Sequence, residues 1–82
     1  MKPSTIIQKY GWVQGVNQSP SGYCAIGAIW KAYGGRCTEQ PRSRIAVDKL
    51  RNLIGTPYIT RWNDAKGQTK RKVLKALRRV GL

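Results

Sequence analysis

Apolar positions gather most densely at 23–33, Tyr-Cys-Ala-Ile-Gly-Ala-Ile-Trp-Lys-Ala-Tyr, where Lys31 is the single charge. A helix apolar on nearly every side belongs in the middle of a domain. Ala25, Gly27, Ala28 and Ala32 allow close approach, and Ile26, Ile29, Trp30 and Tyr33 supply bulk. The run is too short for a membrane span, which needs about 20 apolar residues. A buried strand is the other alternative, but the stretch is long and Ala-rich, and Gly34-Gly35 follows as a helix stop. The pattern predicts a central helix over roughly 23–34.

Three further segments repeat at helical spacing. At 3–10, Pro3 suits a first turn and Ile6, Ile7 and Tyr10 share one face. Gly11 stands where a left-handed C-cap is expected. Trp12 after it reads as a hydrophobic cap in preference to a ligand-stacking residue. At 40–55, Ala46, Val47, Leu50, Leu53 and Ile54 form a stripe, with Arg44 and Arg51 flanking Asp48 on the far side. At 69–80, Val73, Leu74, Leu77 and Val80 share an arc. The turn formers of 12–22 predict an uncharged loop, with Ser19 or Ser21 as cap of the central helix. The stretch 56–67 reads as a second loop, extended over Tyr58–Trp62 because Pro57 and the β-branched residues disfavour helix. Trp62-Asn63-Asp64 is then a turn in which Trp62 plugs the core and the two polar residues fix the chain's entry into the last helix; the functional alternative is a recognition tripeptide. The expected architecture is all-α: one domain over 1–82, a bundle of about four helices around the apolar one.

Charge changes the picture most. The chain holds 16 Lys and Arg, 3 acids and no His, for a net charge of +13. Such self-repulsion is costly to a compact fold and points to a polyanionic partner. The excess is concentrated late. Arg71, Lys72, Lys75, Arg78 and Arg79 occupy the arc of the last helix opposite its apolar side; Lys66 and Lys70 precede them, and nothing acidic follows Asp64. Cations at a helix start oppose its dipole, so this face sacrifices local stability. Binding to anionic lipid is disfavoured because the apolar arc is needed for the core and has no Trp or Phe.

Catalytic and metal chemistry find little to work with. No His is present to activate Cys24, which is either an acidified thiol at a helix start or a small core residue; the core reading is preferred. Two thiols and three acids do not make a conventional four-ligand zinc site, and no cofactor is expected. Lys2-Pro3-Ser4-Thr5 and the short Ile6-Ile7 pair make no signal peptide. The expected location is therefore cytoplasmic, with Cys24 and Cys37 as free thiols.

The chain resembles a family of small uncharacterised proteins, a domain of unknown function found in actinobacteria and their phages. The matching segments are Gly11-Trp12-Val13-Gln14-Gly15, Gly22-Tyr23-Cys24-Ala25-Ile26-Gly27-Ala28, Trp62-Asn63-Asp64, and Thr69 with Val73 and Leu77. The resemblance implies a compact α-helical fold in which Trp12, Cys24, Gly27, Trp62, Asn63, Asp64 and Thr69 are framework; it implies no activity. Two departures stand out. An acid three residues after the threonine would complete a capping box, but that position is Lys72. The family is also not generally this basic.

The expected function is binding of DNA or RNA, or of a nucleic-acid-containing complex. Arg61, Lys66, Lys70, Arg71, Lys72, Lys75, Arg78 and Arg79 would contact phosphates, which positions a protein without reading sequence. No base-reading module is visible, and the 55–68 connection is too long for a helix-turn-helix, whose turn is about 3–4 residues. A virion component holding packaged genome shares the charge argument. The alternative is a phage-type inhibitor or accessory protein docking on an acidic host protein or a ribonucleoprotein, with the uncharged loop and Ile45 as interface. An enzyme is the least favoured class.

Overall fold

The computed structural model describes all 82 residues. Five helices and one minimal hairpin follow in order: α1 (Pro3–Tyr10), β1 (Gln18–Ser19), β2 (Gly22–Tyr23), α2 (Ala25–Tyr33), α3 (Pro41–Ile54), α4 (Ile59–Asp64) and α5 (Lys70–Arg79). The all-α bundle around the apolar helix is therefore the fold, with five helices where the hydrophobic pattern predicts about four. Ala25, Ala28 and Ile29 of α2 are buried, and α1, α3 and α4 all pack against it. Ile6, Ile7, Tyr23, Ala46, Val47, Leu50, Ile59, Val73, Leu74, Leu77 and Leu82 complete the core. No helix is long and apolar enough to cross a membrane.

The small residues of α2 do what their size predicts. Gly27 lies against the main chain of the hairpin: a Cβ there would overlap the Asn17 carbonyl oxygen and come within 2.8 Å of its carbon. Gly34 ends α2 in the left-handed conformation, its N–H donating to the Trp30 carbonyl. Gly55 does the same for α3.

Four local expectations are corrected. The 12–22 segment is not all loop; β1 pairs with β2 antiparallel, Gln18 opposite Tyr23 and Ser19 opposite Gly22. This hairpin takes up Tyr23, so α2 starts two residues later than expected and neither serine caps it. Ser19 Oγ instead accepts from Ser21 N–H at 3.1 Å, and Cys24 is the N-cap, its Sγ accepting from Gly27 N–H at 3.3 Å. Gly11 has a positive φ of 103° but an extended ψ of 166°, not a left-handed cap. The main chain leaves α1 extended because Gly11 and Val13 bond to Tyr23. Finally, 59–64 is helical rather than extended. Pro57 lies ahead of the first turn, where it removes no helical hydrogen bond, and burial of Ile59 at 2% exposure overrides the weak β preference.

Candidate functional site

Two groups of polar residues are candidates, and they differ in kind. The first centres on Asn63. Its side chain is fully buried, and an amide has two acceptor lone pairs and two donor hydrogens to satisfy. All four are used. Oδ1 accepts from Trp12 Nε1 at 2.7 Å and from Ala25 N–H at 2.9 Å. Nδ2 donates to the Val13 carbonyl and to Asp64 Oδ1, both at 3.0 Å. Asp64 Oδ1 also accepts from Gly15 N–H at 3.0 Å, and Gln14 Nε2 donates to the Asn63 carbonyl at 3.0 Å. The network thus pins the 12–15 segment, the start of α2 and the end of α4 together. Trp12, Asn63 and Asp64 meet here, with Cys24 one residue from Ala25.

Two sequence expectations change at this point. Trp12 does more than pack its ring against the core; its indole N–H is a member of the network. Asn63 and Asp64 do not fix the turn into α5; their bonds run back to residues near the start of the chain. Gln68, which no pattern singled out, holds that turn through its Nε2 donating to the Trp62 carbonyl at 3.0 Å. Trp62 is half-buried, packed against the core without plugging it.

Cys24 borders this network as a buried free thiol. Burial pushes its pKa up; the N–H groups of Gly27 and Ile26 pull it down, and the Asp64 carboxylate adds to the rise. Burial prevails, so the thiol stays protonated at neutral pH, the reverse of an acidified nucleophile. Cys37 is also a free thiol.

The second group is the outer face of α5. Thr69 caps the helix, its Oγ1 accepting from Lys72 N–H at 3.2 Å. The return bond of a capping box, closed to Lys72 by its charge, is made by the preceding residue: Gln68 Oε1 accepts from Thr69 N–H at 3.2 Å. Lys72 Nζ donates instead to the Gly67 carbonyl at 3.3 Å. Val73, Leu74 and Leu77 face the core, while Arg71, Lys72, Lys75, Arg78 and Arg79 are exposed. The chain's two ion pairs both belong to Asp48, with Arg44 and Arg51 on α3. No carboxylate neutralises any cation of α5.

Grooves run along both sides of this ridge. Between α1 and α5, Gln8, Lys70, Arg71, Leu74, Lys75 and Arg78 line about 580 Å³. On the other side, toward α3 and α4, Lys72, Lys75 and Arg79 share a hollow of about 310 Å³ with Trp62, Gln68 and Ile54. Lys66 joins Trp62 and Lys72 in an adjoining hollow of about 340 Å³. Lys75 borders both sides. Seven of the eight expected cations therefore lie on one continuous region. Arg61 lines neither groove; its guanidinium sits 4.9 Å over the exposed Tyr58 ring. Gln8 and Gln68 are the additional polar members. Sequence gives no sign of Gln8, because nothing in it states that α1 packs beside α5. A further hollow of about 580 Å³ at the end of α3 contains Asp48 beside Arg51 and has no excess of positive charge.

Residues 4–81 match the family described as "Family of unknown function (DUF6197)", and the chain belongs to it. No curated protein matches. No solved structure matches either.

Proposed function

We propose that the chain is a small nucleic-acid-binding protein that holds DNA or RNA by its phosphate backbone on the outer face of α5. One observation carries this reading: the face has only cations, exposed and unneutralised, although the fold places its ion pairs elsewhere. A rigid amphipathic helix with grooves on both sides offers phosphates two tracks of positive charge. Such contacts give affinity, salt dependence and little base discrimination. The reading assigns the chain no catalytic step, no cofactor and a cytoplasmic place of action. The motif resemblance supports an actinobacterial or phage setting.

The test is a fluorescence anisotropy titration with DNA and RNA oligonucleotides from low to physiological salt. The wild type is expected to bind at physiological salt. A Lys72→Gln, Lys75→Gln, Arg79→Gln variant should bind more weakly, with a salt slope lower by about 0.9 for each duplex phosphate it no longer neutralises. An unaltered melting temperature would show that the variant is folded. Absence of binding at physiological salt, or binding indifferent to the three substitutions, overturns the reading.

A second reading is docking on an acidic protein surface or ribonucleoprotein. What favours it is Ile45, 57% exposed on α3, in a shallow hollow of about 140 Å³ shared with Tyr33, Arg42 and Lys49. An apolar residue ringed by cations suits a protein partner better than phosphate. Capture of one stoichiometric protein after nuclease treatment, abolished by Ile45→Glu, would favour it over the first.

A further inference from the structure

A phosphate track requires charge alone, yet one of the grooves beside α5 has an aromatic wall. Trp62 packs against the core with part of its surface and lines the groove with Ile54 and Ala76, beneath Lys72, Lys75 and Arg79. No acid borders it. The other prominent aromatics are already engaged. Trp12 donates to Asn63. Arg36 lies over Trp30, Lys9 over Tyr10 and Arg61 over Tyr58. No cation covers Trp62. Its main chain is fixed at both polar groups, with the N–H donating to the Tyr58 carbonyl at 3.0 Å and the carbonyl accepting from Gln68. The backbone that carries the ring is thus fixed, and the ring packs on the core without being enclosed.

A concave, half-apolar hollow rimmed by cations suits a flat ring attached to phosphate. In an uninterrupted duplex the ring faces are covered by stacking; an unpaired base exposes them. We propose that the hollow at Trp62 takes an unpaired nucleobase, with Lys72, Lys75 and Arg79 on the adjoining phosphates. The cationic face then favours single-stranded or looped nucleic acid over continuous duplex. The proposal rests on the nucleic-acid reading above and names the form of the ligand. Stacking on an aromatic tolerates any base, so preference is for strandedness and not for sequence.

The experiment compares three probes of equal length at physiological salt: a single strand, the same strand with abasic sites at its centre, and the duplex. The single strand should bind about tenfold more tightly than the abasic strand, whose phosphates are the same. Trp62→Leu should lose about that factor on the single strand and nothing on the duplex or the abasic strand, and Trp62→Phe should keep most of it. The salt slope should be unaffected by either substitution. The probe comparison uses the unaltered chain, so a folding defect in a variant leaves the proposal testable. Equal affinity for the single strand and the abasic strand overturns it while leaving phosphate binding intact. Failure of all three probes to bind removes the nucleic-acid reading and this proposal with it.

Discussion

The Asn63 network and the α5 face are both polar, both adjoin Trp62, and are satisfied in opposite ways. Asn63 is fully buried and every hydrogen-bonding position of its amide is matched within the chain. No hydrogen-bonding position of that amide remains for a ligand. The cations of α5 have no carboxylate partner at all, and the helix they start has no acid in its first turn. Polarity met internally is framework; polarity left to the surroundings is what the proposed function draws on. Trp62-Asn63-Asp64 crosses that boundary, since Asn63 closes the interior network and Trp62 opens toward the cations.

The sharpest way to break the contrast is at Asn63. Replacing it by Ala leaves Ala25 N–H, the Val13 carbonyl and Trp12 Nε1 without their partner. Ala25 N–H is buried and the other two are part-buried; a buried polar group so abandoned costs about 1–3 kcal/mol, with strong coupling among network members. We expect a loss of about 3–5 kcal/mol by urea denaturation, a large part of the 5–15 kcal/mol typical of a domain. A loss under 1 kcal/mol would show that water replaces the amide and that the network is not framework.

A smaller effect is expected from pH at Cys24. Its folded pKa is raised, chiefly by burial. The folded chain therefore holds the thiol proton more tightly than the unfolded one. Below the ordinary thiol range both states are protonated and stability is complete. Above about pH 8.5 the unfolded thiol ionises first, so stability falls as pH rises toward the folded pKa. Wild type should lose stability relative to Cys24→Ala across this alkaline range, measured as the change in their difference between pH 7 and pH 10. A constant difference would mean that the thiol ionises alike in both states.

The smallest effect sharpens the other side of the comparison. Lys72→Glu puts an acid in the first turn of α5, where the dipole favours it by about 0.5 kcal/mol. Thermal melting should show a slight gain while polyanion binding weakens. Opposite signs in one substitution would identify Lys72 as a residue kept for binding at the expense of the helix. Both quantities moving down would assign it a structural role through its bond to the Gly67 carbonyl.

How much of this was legible in sequence follows from how local each feature is. Helix α5 and its divided faces were readable because spacing within ten residues determines them, while its Thr69 cap came with the family resemblance. The apolar stripe of α3, which Pro41 opens and Gly55 ends, was readable from spacing in the same way. Helix α4 was not, because its six residues carry local signals for extended chain and are held helical by tertiary burial. The capping role of Cys24 was hidden behind better-ranked Ser19 and Ser21, displaced by a hairpin of two-residue strands that has no strong periodicity. Gln68 stands in for the missing capping-box acid from the wrong side of Thr69, a solution no spacing rule anticipates. The partners of Asn63 lie too far off in sequence for any window to join them, so the residues alone suggested a local turn, the family resemblance added a framework role, and the particular bonds did not come at all.

The Asn63 bonds span 38, 50 and 51 residues, and that distance has a consequence in time. A contact so remote forms only after a long loop has closed, whereas α5 can nucleate within its own ten residues. The amide remains hydrated until the 12–25 segment reaches the end of α4, and it is sequestered late. The network then acts less as a guide to folding than as a latch, one that slows the reopening of a bundle whose own charges repel.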